Sequence, residues 1–398
     1  MSIENLKKNG SFCSMIWNHM FFLTNNIVKP CCRFEYEKFD KILNLDNFEV
    51  NDIFYSEFYK KTREKMLKGE KIDGCKRCYE EEESGKKSLR QRYNDSSYIK
   101  IEETVDLNKP KIKWIELSFS NNCNLKCRMC DSRYSYKWYD EEKEIFGKTF
   151  IKNKRSYVNL NKILKIIDDN IVHIKFTGGE PFLIKEYERI IDYLIDNYDV
   201  SKIFLNYNTN CTIRPKDDLI KKWKKFKFVE FALSFDGIDD VWEYIRYPSK
   251  WKTVEKNIKF FYSLKDTINS KYVFRSTISI LNIVNFHQML DWWKENISEN
   301  FHSEISTFNP THLTFPSFLN LQSLPKEKKH KIKDYLLNHK NNENEIIRKY
   351  VDHFVNFMFF KDRYEQNKEM LKKYIMITDK NRNQDFFRIY NKFYEGLF

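Results

Sequence analysis

From Lys111 onward, short apolar segments alternate with longer amphipathic ones along the chain. The short segments are four to nine residues long, and their valine, isoleucine and aromatic content is typical of buried strands. They predict six strands at Lys113–Ser120, Val172–Thr177, Lys202–Thr209, Phe228–Phe235, Tyr272–Ile280 and His312–Phe315.

The stretches between these strands have helical spacing. Apolar residues recur three and four positions apart in two of them, and Pro215 opens a further helix because proline suits a first turn. Strands that alternate with helices of this length form parallel sheets, so the predicted fold class is α/β with a partial (β/α)6 parallel barrel. In such barrels the chemistry gathers at the carboxyl ends of the strands. The two apolar sets are Leu160, Ile163, Leu164 and Ile167, and Tyr187, Ile190, Ile191 and Leu194.

Three segments of the chain differ in pattern. Residues 1–105 are rich in cysteine, residues 111–316 carry the strand–helix alternation, and residues 317–398 are charged, with a predicted helix at Leu324–His339. We expect a cysteine-rich N-terminal element, a parallel barrel and a helical C-terminal segment.

The composition is that of a folded protein whose charge is spread over its surface. Of the 398 residues, 41% are hydrophobic and 17% aromatic, which is enough for buried cores. The net charge of +13 comes from lysines scattered among glutamates. The densest basic stretch, Lys221–Phe228, has the pattern of a solvated helix that leads into a strand. We therefore do not expect a nucleic-acid partner.

The chain has no apolar stretch near the ~18 residues of a membrane span. The best candidate, Phe12–Thr24, is short, is interrupted by Asn18 and His19, and lacks the small-residue cleavage site of a signal peptide. Nine cysteines without a secretory signal indicate metal or redox chemistry rather than a disulfide scaffold. We expect a reducing cytoplasm and no membrane association.

Three cysteines follow the first predicted strand directly. Cys123, Cys127 and Cys130 have the spacing C-x3-C-x2-C, and no fourth cysteine lies nearby in the sequence. A structural zinc site usually has two C-x2-C pairs, whose four thiolates close a tetrahedron. Three thiolates instead suit an iron–sulfur cube in which one iron keeps an open position for a substrate or cofactor.

This cysteine spacing resembles the signature of the radical S-adenosylmethionine (radical SAM) superfamily. The resemblance implies a [4Fe-4S] cluster that binds S-adenosylmethionine at its open iron and cleaves it reductively. It implies a 5′-deoxyadenosyl radical that abstracts hydrogen from a substrate, and a reductase such as flavodoxin or ferredoxin as a partner. The family commonly has an aromatic residue before the third cysteine; here that residue is Met129, whose thioether can also pack against adenine.

A glycine pair follows the second predicted strand. The stretch FTGGEPF places Gly178, Gly179 and Glu180 at the end of that strand, in a chain with only nine glycines. Glycine lets the backbone approach a ligand closely. In the family such a stretch receives the amino group of the methionine part of the cofactor. The alternative is a tight turn between strand and helix that binds no ligand.

The third and fourth strands end in further candidates. YNTNC holds Asn208, and its Cys211 stands where the family often has glycine; we interpret this cysteine as a buried core residue. LSFDG holds Ser234 and Asp236, and the resemblance implies that the serine contacts the ribose or methionine part of the cofactor. Arg246 could bind the cofactor carboxylate through its guanidinium, or form a surface salt bridge.

The N-terminal segment contains five more cysteines. A leading cysteine, a Pro-Cys step and a C-x2-C pair resemble the SPASM/twitch auxiliary element, here placed before the barrel rather than after it. The resemblance implies a second, auxiliary [4Fe-4S] cluster with Cys32 as the alternative ligand to Cys31, and zinc as the alternative metal. The implied ligands are Cys13, Cys31, Cys75 and Cys78.

Together these features predict a radical SAM enzyme that modifies a peptide or protein. The alternative substrate is a nucleoside, a sugar or another small molecule. An alternative of another class is a non-catalytic iron–sulfur protein for electron transfer or binding, although an electron carrier needs no cofactor pocket. The sequence identifies no catalytic residue.

Overall fold

The computed structural model describes residues 3–36, 43–83, 85, 87–95, 106–297, 307–340 and 345–397. The strands in these ranges are β1 (His19–Phe22), β2 (Val28–Lys29), β3 (Trp114–Ser118), β4 (His173–Thr177), β5 (Phe204–Thr209), β6 (Phe228–Ser234), β7 (Ser270–Ile278) and β8 (Phe308–His312). The α-helices are α1 (Ile3–Lys7), α2 (Met15–Asn18), α3 (Val50–Phe54), α4 (Glu57–Leu67), α5 (Lys76–Glu83), α6 (Leu89–Asn94), α7 (Tyr139–Phe146), α8 (Leu160–Leu164), α9 (Lys185–Asn197), α10 (Asp217–Trp223), α11 (Asp239–Ile245), α12 (Trp251–Ser263), α13 (Phe286–Asn296), α14 (Lys326–Lys340), α15 (Glu345–Phe360), α16 (Tyr364–Arg382) and α17 (Phe386–Tyr394).

The chain divides into two compact units. The first unit comprises Met1–Asn122, Arg155–Tyr207 and Asp217–Val229, and the second comprises Cys123–Lys154, Asn208–Lys216 and Glu230–Phe398. The three-part division expected from the sequence stays a prediction.

The first unit is built on parallel strands. They lie in the order β2-β1-β3-β4-β5, in which β1, β3, β4 and β5 are parallel and β2 is antiparallel to β1. The register places Glu116, Lys175 and Asn206 side by side on three neighbouring strands. Successive side chains of a strand point to opposite faces, and Leu117 and Phe176 on the other face are fully buried. One face of this sheet therefore carries a polar row.

Helix α9 of the first unit is buried on the face that its spacing predicted. The hydroxyl of Tyr187 lies 2.7 Å from the carbonyl oxygen of Leu117 and 2.6 Å from that of Thr177. It thereby joins the helix to the carboxyl halves of β3 and β4. The buried residues of α9 are Tyr187, Ile190, Ile191 and Leu194.

The second unit contains the strand order β6-β7-β8 and the C-terminal helices. Strands β7 and β8 are parallel, with Phe274 opposite Phe308. Pro310 lies within β8, and a strand at the end of the order tolerates proline because one of its edges forms no ladder. The mostly parallel α/β class and the helical C-terminal segment are confirmed, and a partial barrel is consistent with these strand orders.

Five of the six predicted strands are confirmed with ends shifted by at most two residues. The sixth is wrong, because the strand covers Phe308–His312 rather than His312–Phe315. Its sequence, FNPTH, has a low intrinsic preference for a strand, and parallel pairing with β7 decides its position instead.

The apolar stretch Phe12–Thr24 forms α2 and β1, and all residues of both elements are buried. The sequence did not predict β1, because the polar His19 interrupts the apolar pattern although its side chain is fully buried. Among the described helices, none has the length and apolar character needed to cross a membrane.

Candidate functional site

The three cysteines of the C-x3-C-x2-C loop pack together in the second unit. Cys123 and Cys127 are buried and form one apolar cluster with Leu125, against which Met129 and Cys130 pack. The amide of Cys130 donates to the carbonyl of Cys127 at 2.9 Å, which turns the loop back on itself. The loop thus gathers the three thiols and the predicted adenine contact Met129 in one place.

The chemistry of the donor set fits a metal cluster. Burial raises the pKa of the Cys127 thiol, and the guanidinium of Arg246 opposes that shift. Burial, followed by the charges of Asp131, Cys127 and Cys123, raises the pKa of Cys130. Such thiols are neutral by themselves, and a bound metal centre supplies the positive charge that stabilises their thiolates. In the described part of the chain, no group of three or more His, Cys, Asp or Glu side chains is placed so that it could hold a metal ion.

Arg128, between the second and third cysteines, anchors the loop. Its side chain is fully buried, and its Nε donates to the carbonyl of Tyr244 at 3.0 Å. Its Nη2 lies 2.5 Å from Oδ1 of Asp379 and 3.0 Å from Oε1 of Gln384. The hydroxyl of Tyr374 donates to the carbonyl of Arg128 at 2.6 Å. Helix α16 and Gln384, two residues after its end, therefore hold the cysteine loop in place.

Backbone pairing anchors the same loop from a second side. The amides of Lys126 and Arg128 donate to the carbonyls of Tyr247 and Ile245 at 2.7 and 2.8 Å. The end of α11 and the segment that follows it thus run alongside the cysteine loop. Sequence reasoning missed this anchoring, because its partners lie more than a hundred residues downstream.

Arg246 stands next to the second cysteine. Its Nε donates to Oδ2 of Asp236 at 2.6 Å, and its Nη1 donates to Sγ of Cys127 at 3.7 Å. Although burial disfavours its charge, Asp236 raises the pKa of Arg246 above its usual value. Asp236 is fully buried and accepts from the amide of Thr277 at 2.6 Å. The salt bridge is therefore buried, and the interpretation of Arg246 as part of a surface salt bridge is wrong. The position of this salt bridge next to Cys127 was not expected from the sequence.

Asn210 stands next to the first cysteine. Its Nδ2 donates to Sγ of Cys123 at 3.7 Å and to Oδ1 of Asn124 at 3.0 Å. The hydroxyl of Thr212 closes this network by donating to Oδ1 of Asn210 and accepting from Nδ2 of Asn124 at 2.8 Å. The sequence indicated Asn208 instead, which lies half-buried on β5, two residues before Asn210.

Cys211 is fully buried, as expected. Its φ is +61°, in the left-handed region that favours glycine. A glycine would adopt this conformation without steric cost. Ser234, at the end of β6, is half-buried.

The glycine pair belongs to the first unit, where the end of β4 meets the segment after β3. A Cβ on Gly179 would lie 2.1 Å from the carbonyl oxygen of Asn122, and Gly178 has a φ of +100°. The amide of Glu180 donates to that same carbonyl at 2.9 Å, and Glu180 is fully buried. The Oγ of Ser118 next to Gly178 is buried with no hydrogen-bond partner. The two glycines therefore permit a close approach of backbone segments beside this buried hydroxyl.

The N-terminal cysteines, also in the first unit, surround one small cavity. Four thiols line its volume of about 20 Å³, together with Arg33 and Arg90. Burial, followed by Cys78, raises the pKa of Cys13 to about 12. The lining thiols are Cys13, Cys31, Cys75 and Cys78.

Cys32 does not line this cavity. Its side chain is exposed, and the charges that act on it most strongly are those of Glu116 and Lys175 rather than those of the other thiols. The adjacent Cys31 feels Cys75 and Cys13 as well as Cys32. The two neighbouring thiols therefore face different surroundings.

A buried charge cluster was not foreseen from the sequence. Nζ of Lys175 lies 2.7 Å from Oε1 of Glu116, and Nε2 of His19 lies 3.7 Å from Oε2 of the same carboxylate. Burial lowers the pKa of His19 to about 4. The only sequence signal was a polar residue in each of three short apolar strands.

The family model described as Radical SAM superfamily matches residues 117–287. That range holds the cysteine loop, the glycine pair and Arg246. Residues 117–287 are therefore similar to the radical SAM superfamily.

Three known proteins are similar to parts of this chain. The chain is 33% identical over 129 residues to "Uncharacterized protein MJ0907" of Methanocaldococcus jannaschii, covering 32% of this chain and 40% of that protein. It is 25% identical over 199 residues to "GTP 3',8-cyclase" of Pasteurella multocida, covering 48% of this chain and 52% of that protein. The solved structure "Native anSMEcpe with bound AdoMet" is 16% identical with a TM-score of 0.39, covering 58% of this chain and 60% of that one. The chain thus spans about half the length of the curated relatives that it matches.

Proposed function

We propose that the protein is a radical SAM enzyme whose Cys123, Cys127 and Cys130 hold a [4Fe-4S] cluster. When bound, the cluster and S-adenosylmethionine supply a 5′-deoxyadenosyl radical for hydrogen abstraction. The observation that carries this proposal is the packing of three thiols, without a fourth, in a loop that buried Arg128 anchors. Three ligands leave one iron open for the cofactor.

The residues around the loop support this function, because they hold the loop in place and polarise its cysteine sulfurs. Arg246 and Asn210 place N–H donors on the sulfurs of Cys127 and Cys123, and hydrogen bonds to cluster sulfurs tune reduction potentials. Met129 packs on the same cluster of residues and is proposed to contact adenine. Gly178, Gly179 and Glu180 are proposed to receive the methionine part, and Asn208, Ser234 and Asp236 to complete the cofactor contacts.

We further propose that Cys13, Cys31, Cys75 and Cys78 hold an auxiliary [4Fe-4S] cluster. Four thiols around one cavity support this assignment. Four thiolates also suit zinc, and metal analysis separates the two. The arrangement resembles the SPASM/twitch element, and relatives with such elements often modify peptides or proteins. A peptide or protein is therefore the proposed substrate class.

A second candidate substrate is a nucleotide or another small molecule. The specific observation in its favour is the alignment with a protein named GTP 3′,8-cyclase over 48% of the chain. Turnover assays with nucleotides on one side and peptides from neighbouring genes on the other would separate the two classes.

Release of 5′-deoxyadenosine tests the proposed function. The anaerobically reconstituted protein, given dithionite and S-adenosylmethionine, should form it, whereas Cys127→Ala should not, because a methyl group cannot replace a thiolate ligand. Cys211→Ser is the matched control, since that buried thiol lies outside the loop and its loss should leave the iron content unchanged. A protein that binds iron but never releases 5′-deoxyadenosine would instead be an electron-transfer or binding protein.

A further inference from the structure

Cys130 is the loop cysteine closest to solvent. Cys123 and Cys127 are 9% and 8% exposed, whereas Cys130 is only partly buried. Its side chain also lines a cavity of about 90 Å³ within the second unit. The other walls of this cavity are mostly aromatic and include Trp138, Phe146, Phe150, Phe315 and Tyr374.

Two exposed rings stand at the mouth of this cavity. Phe150 and Phe315 are 38% and 48% exposed, and their ring centroids lie 5.6 Å apart. The guanidinium of Arg133 lies 5.0 and 5.2 Å from the two rings and pairs with Asp131 at 2.6 Å. Exposed aromatic residues beside an arginine are typical of the centre of a protein interface.

A lysine-rich hollow of about 350 Å³ adjoins this mouth and shares Phe150 with it. Lys143, Lys148 and Lys152 line the hollow, and all three are exposed. Within the described residues none of the three forms an ion pair, whereas the nearby Asp140 is already paired with Lys154. The face therefore presents an apolar centre with uncompensated positive charge beside it.

We propose that this face docks an acidic one-electron carrier protein of the flavodoxin or ferredoxin type. The proposal rests on the proposed function, since a cluster at the loop needs an external electron. The carrier loses one electron, the centre held by the three cysteines gains it, and no bond forms or breaks in the transfer. Complementary charge attracts an acidic carrier and orients it, and the aromatic centre seats it where Cys130 lines the cavity.

Single-stranded nucleic acid also binds aromatic residues framed by lysines. The structure favours the carrier because the aromatic mouth leads to a thiol of the proposed redox centre. A nucleic-acid-binding site does not require an aromatic mouth that leads to a redox centre.

Charge reversal tests the docking face. The probes are a recombinant bacterial flavodoxin and a bacterial ferredoxin, and their affinity for the reconstituted protein is measured at low and high salt. The variant K143E/K148E/K152E should bind at least about tenfold more weakly than wild type, with a smaller salt dependence. Phe150→Ala should also bind about tenfold more weakly, with the salt dependence kept. The control K224E/K225E/K252E, with equal charge change on exposed lysines elsewhere, should bind like wild type.

Two electron sources separate this proposal from the proposed function. With dithionite, which needs no docking, K143E/K148E/K152E should release 5′-deoxyadenosine like wild type; with reduced flavodoxin it should release about tenfold less. Absence of dithionite-driven release in wild type would refute the proposed function, while the affinities still test the docking face. Equal affinity of both triple variants, no binding of either carrier to wild type, or displacement of the carrier by a single-stranded RNA would overturn the proposal.

Discussion

Arg246 lies with its Nη1 atom 3.7 Å from the Sγ atom of Cys127. Its Nε donates to the buried carboxylate of Asp236. The same guanidinium therefore pairs with Asp236 and contacts Cys127, a proposed cluster ligand. A guanidinium fixed in this way favours a negative sulfur over a neutral one. Arg246 would therefore stabilise the thiolate of Cys127 in the proposed cluster site.

The salt bridge between Arg246 and Asp236 makes a stability prediction. Arg246→Gln leaves the fully buried Asp236 without its partner, and breaking a buried pair from one side costs about 3–5 kcal/mol. The free energy of unfolding, measured in urea, should fall by that order. The double variant R246Q/D236N should recover much of the loss because no buried charge remains. Equal stability of the single and double variants would refute this account.

The auxiliary site predicts different behaviour for two adjacent cysteines. Cys31 lines the cavity with three other thiols and Cys32 does not, so Cys31→Ala should lose the auxiliary iron and Cys32→Ser should keep it. Cys75→Ala should match Cys31→Ala and retain some uncoupled cleavage of S-adenosylmethionine. Iron, zinc and sulfide counts on the purified variants measure this. The reverse result would move the ligand to Cys32, and zinc without sulfide would replace the cluster by a zinc site.

The glycine pair predicts a sharp steric effect. In Gly179→Ala, the new Cβ would lie 2.1 Å from the backbone carbonyl oxygen of Asn122, which has no flexible side chain to move aside. We expect a loss of about 1–3 kcal/mol in the free energy of unfolding and a weaker affinity for S-adenosylmethionine. Gly10→Ala is the control, because nothing lies within 4 Å of its Cβ position. Wild-type affinity in Gly179→Ala would argue for a turn without a ligand.

The buried His19 predicts a dependence of stability on pH. Burial lowers its folded pKa from 6.5 to about 4, so the unfolded chain binds the proton first. Stability should then be complete above pH 6.5 and fall as the pH drops towards 4, by roughly 3 kcal/mol. In His19→Gln, the free energy of unfolding measured in urea should change less with pH across this window. His173, whose pKa burial lowers to about 3, leaves part of the slope in place. An unchanged slope would contradict the assignment.

The fold could be predicted from local pattern where pattern and packing agree. Helix α9 buries the four residues that helical spacing singled out, and five strands lie where apolar runs predicted them. Prediction failed where tertiary pairing overrides local preference. β8 contains Asn309 and Pro310 and is held by its register with β7, and β1 begins with a buried histidine that looks like an interruption.

For the candidate site, only the types and the spacing of the possible ligand residues could be predicted from the sequence. The spacing of Cys123, Cys127 and Cys130 indicated a ligand set with one missing thiol. The anchoring of the loop by Arg128 could not be predicted, because a charged residue is expected at the surface. Its partners on α16, Thr378 and Asp379, lie about 250 residues away.

The sequence by itself determined the spacing of the candidate ligand cysteines and the parallel α/β class, because residue type, spacing and periodicity are local properties. The tertiary structure alone decided that Arg246 pairs with Asp236 next to Cys127, that Cys31 rather than Cys32 faces the other thiols, and that Cys130 lines an aromatic cavity. The physical reason is that burial, charge pairing and the direction of a side chain depend on groups that approach only when distant segments pack together.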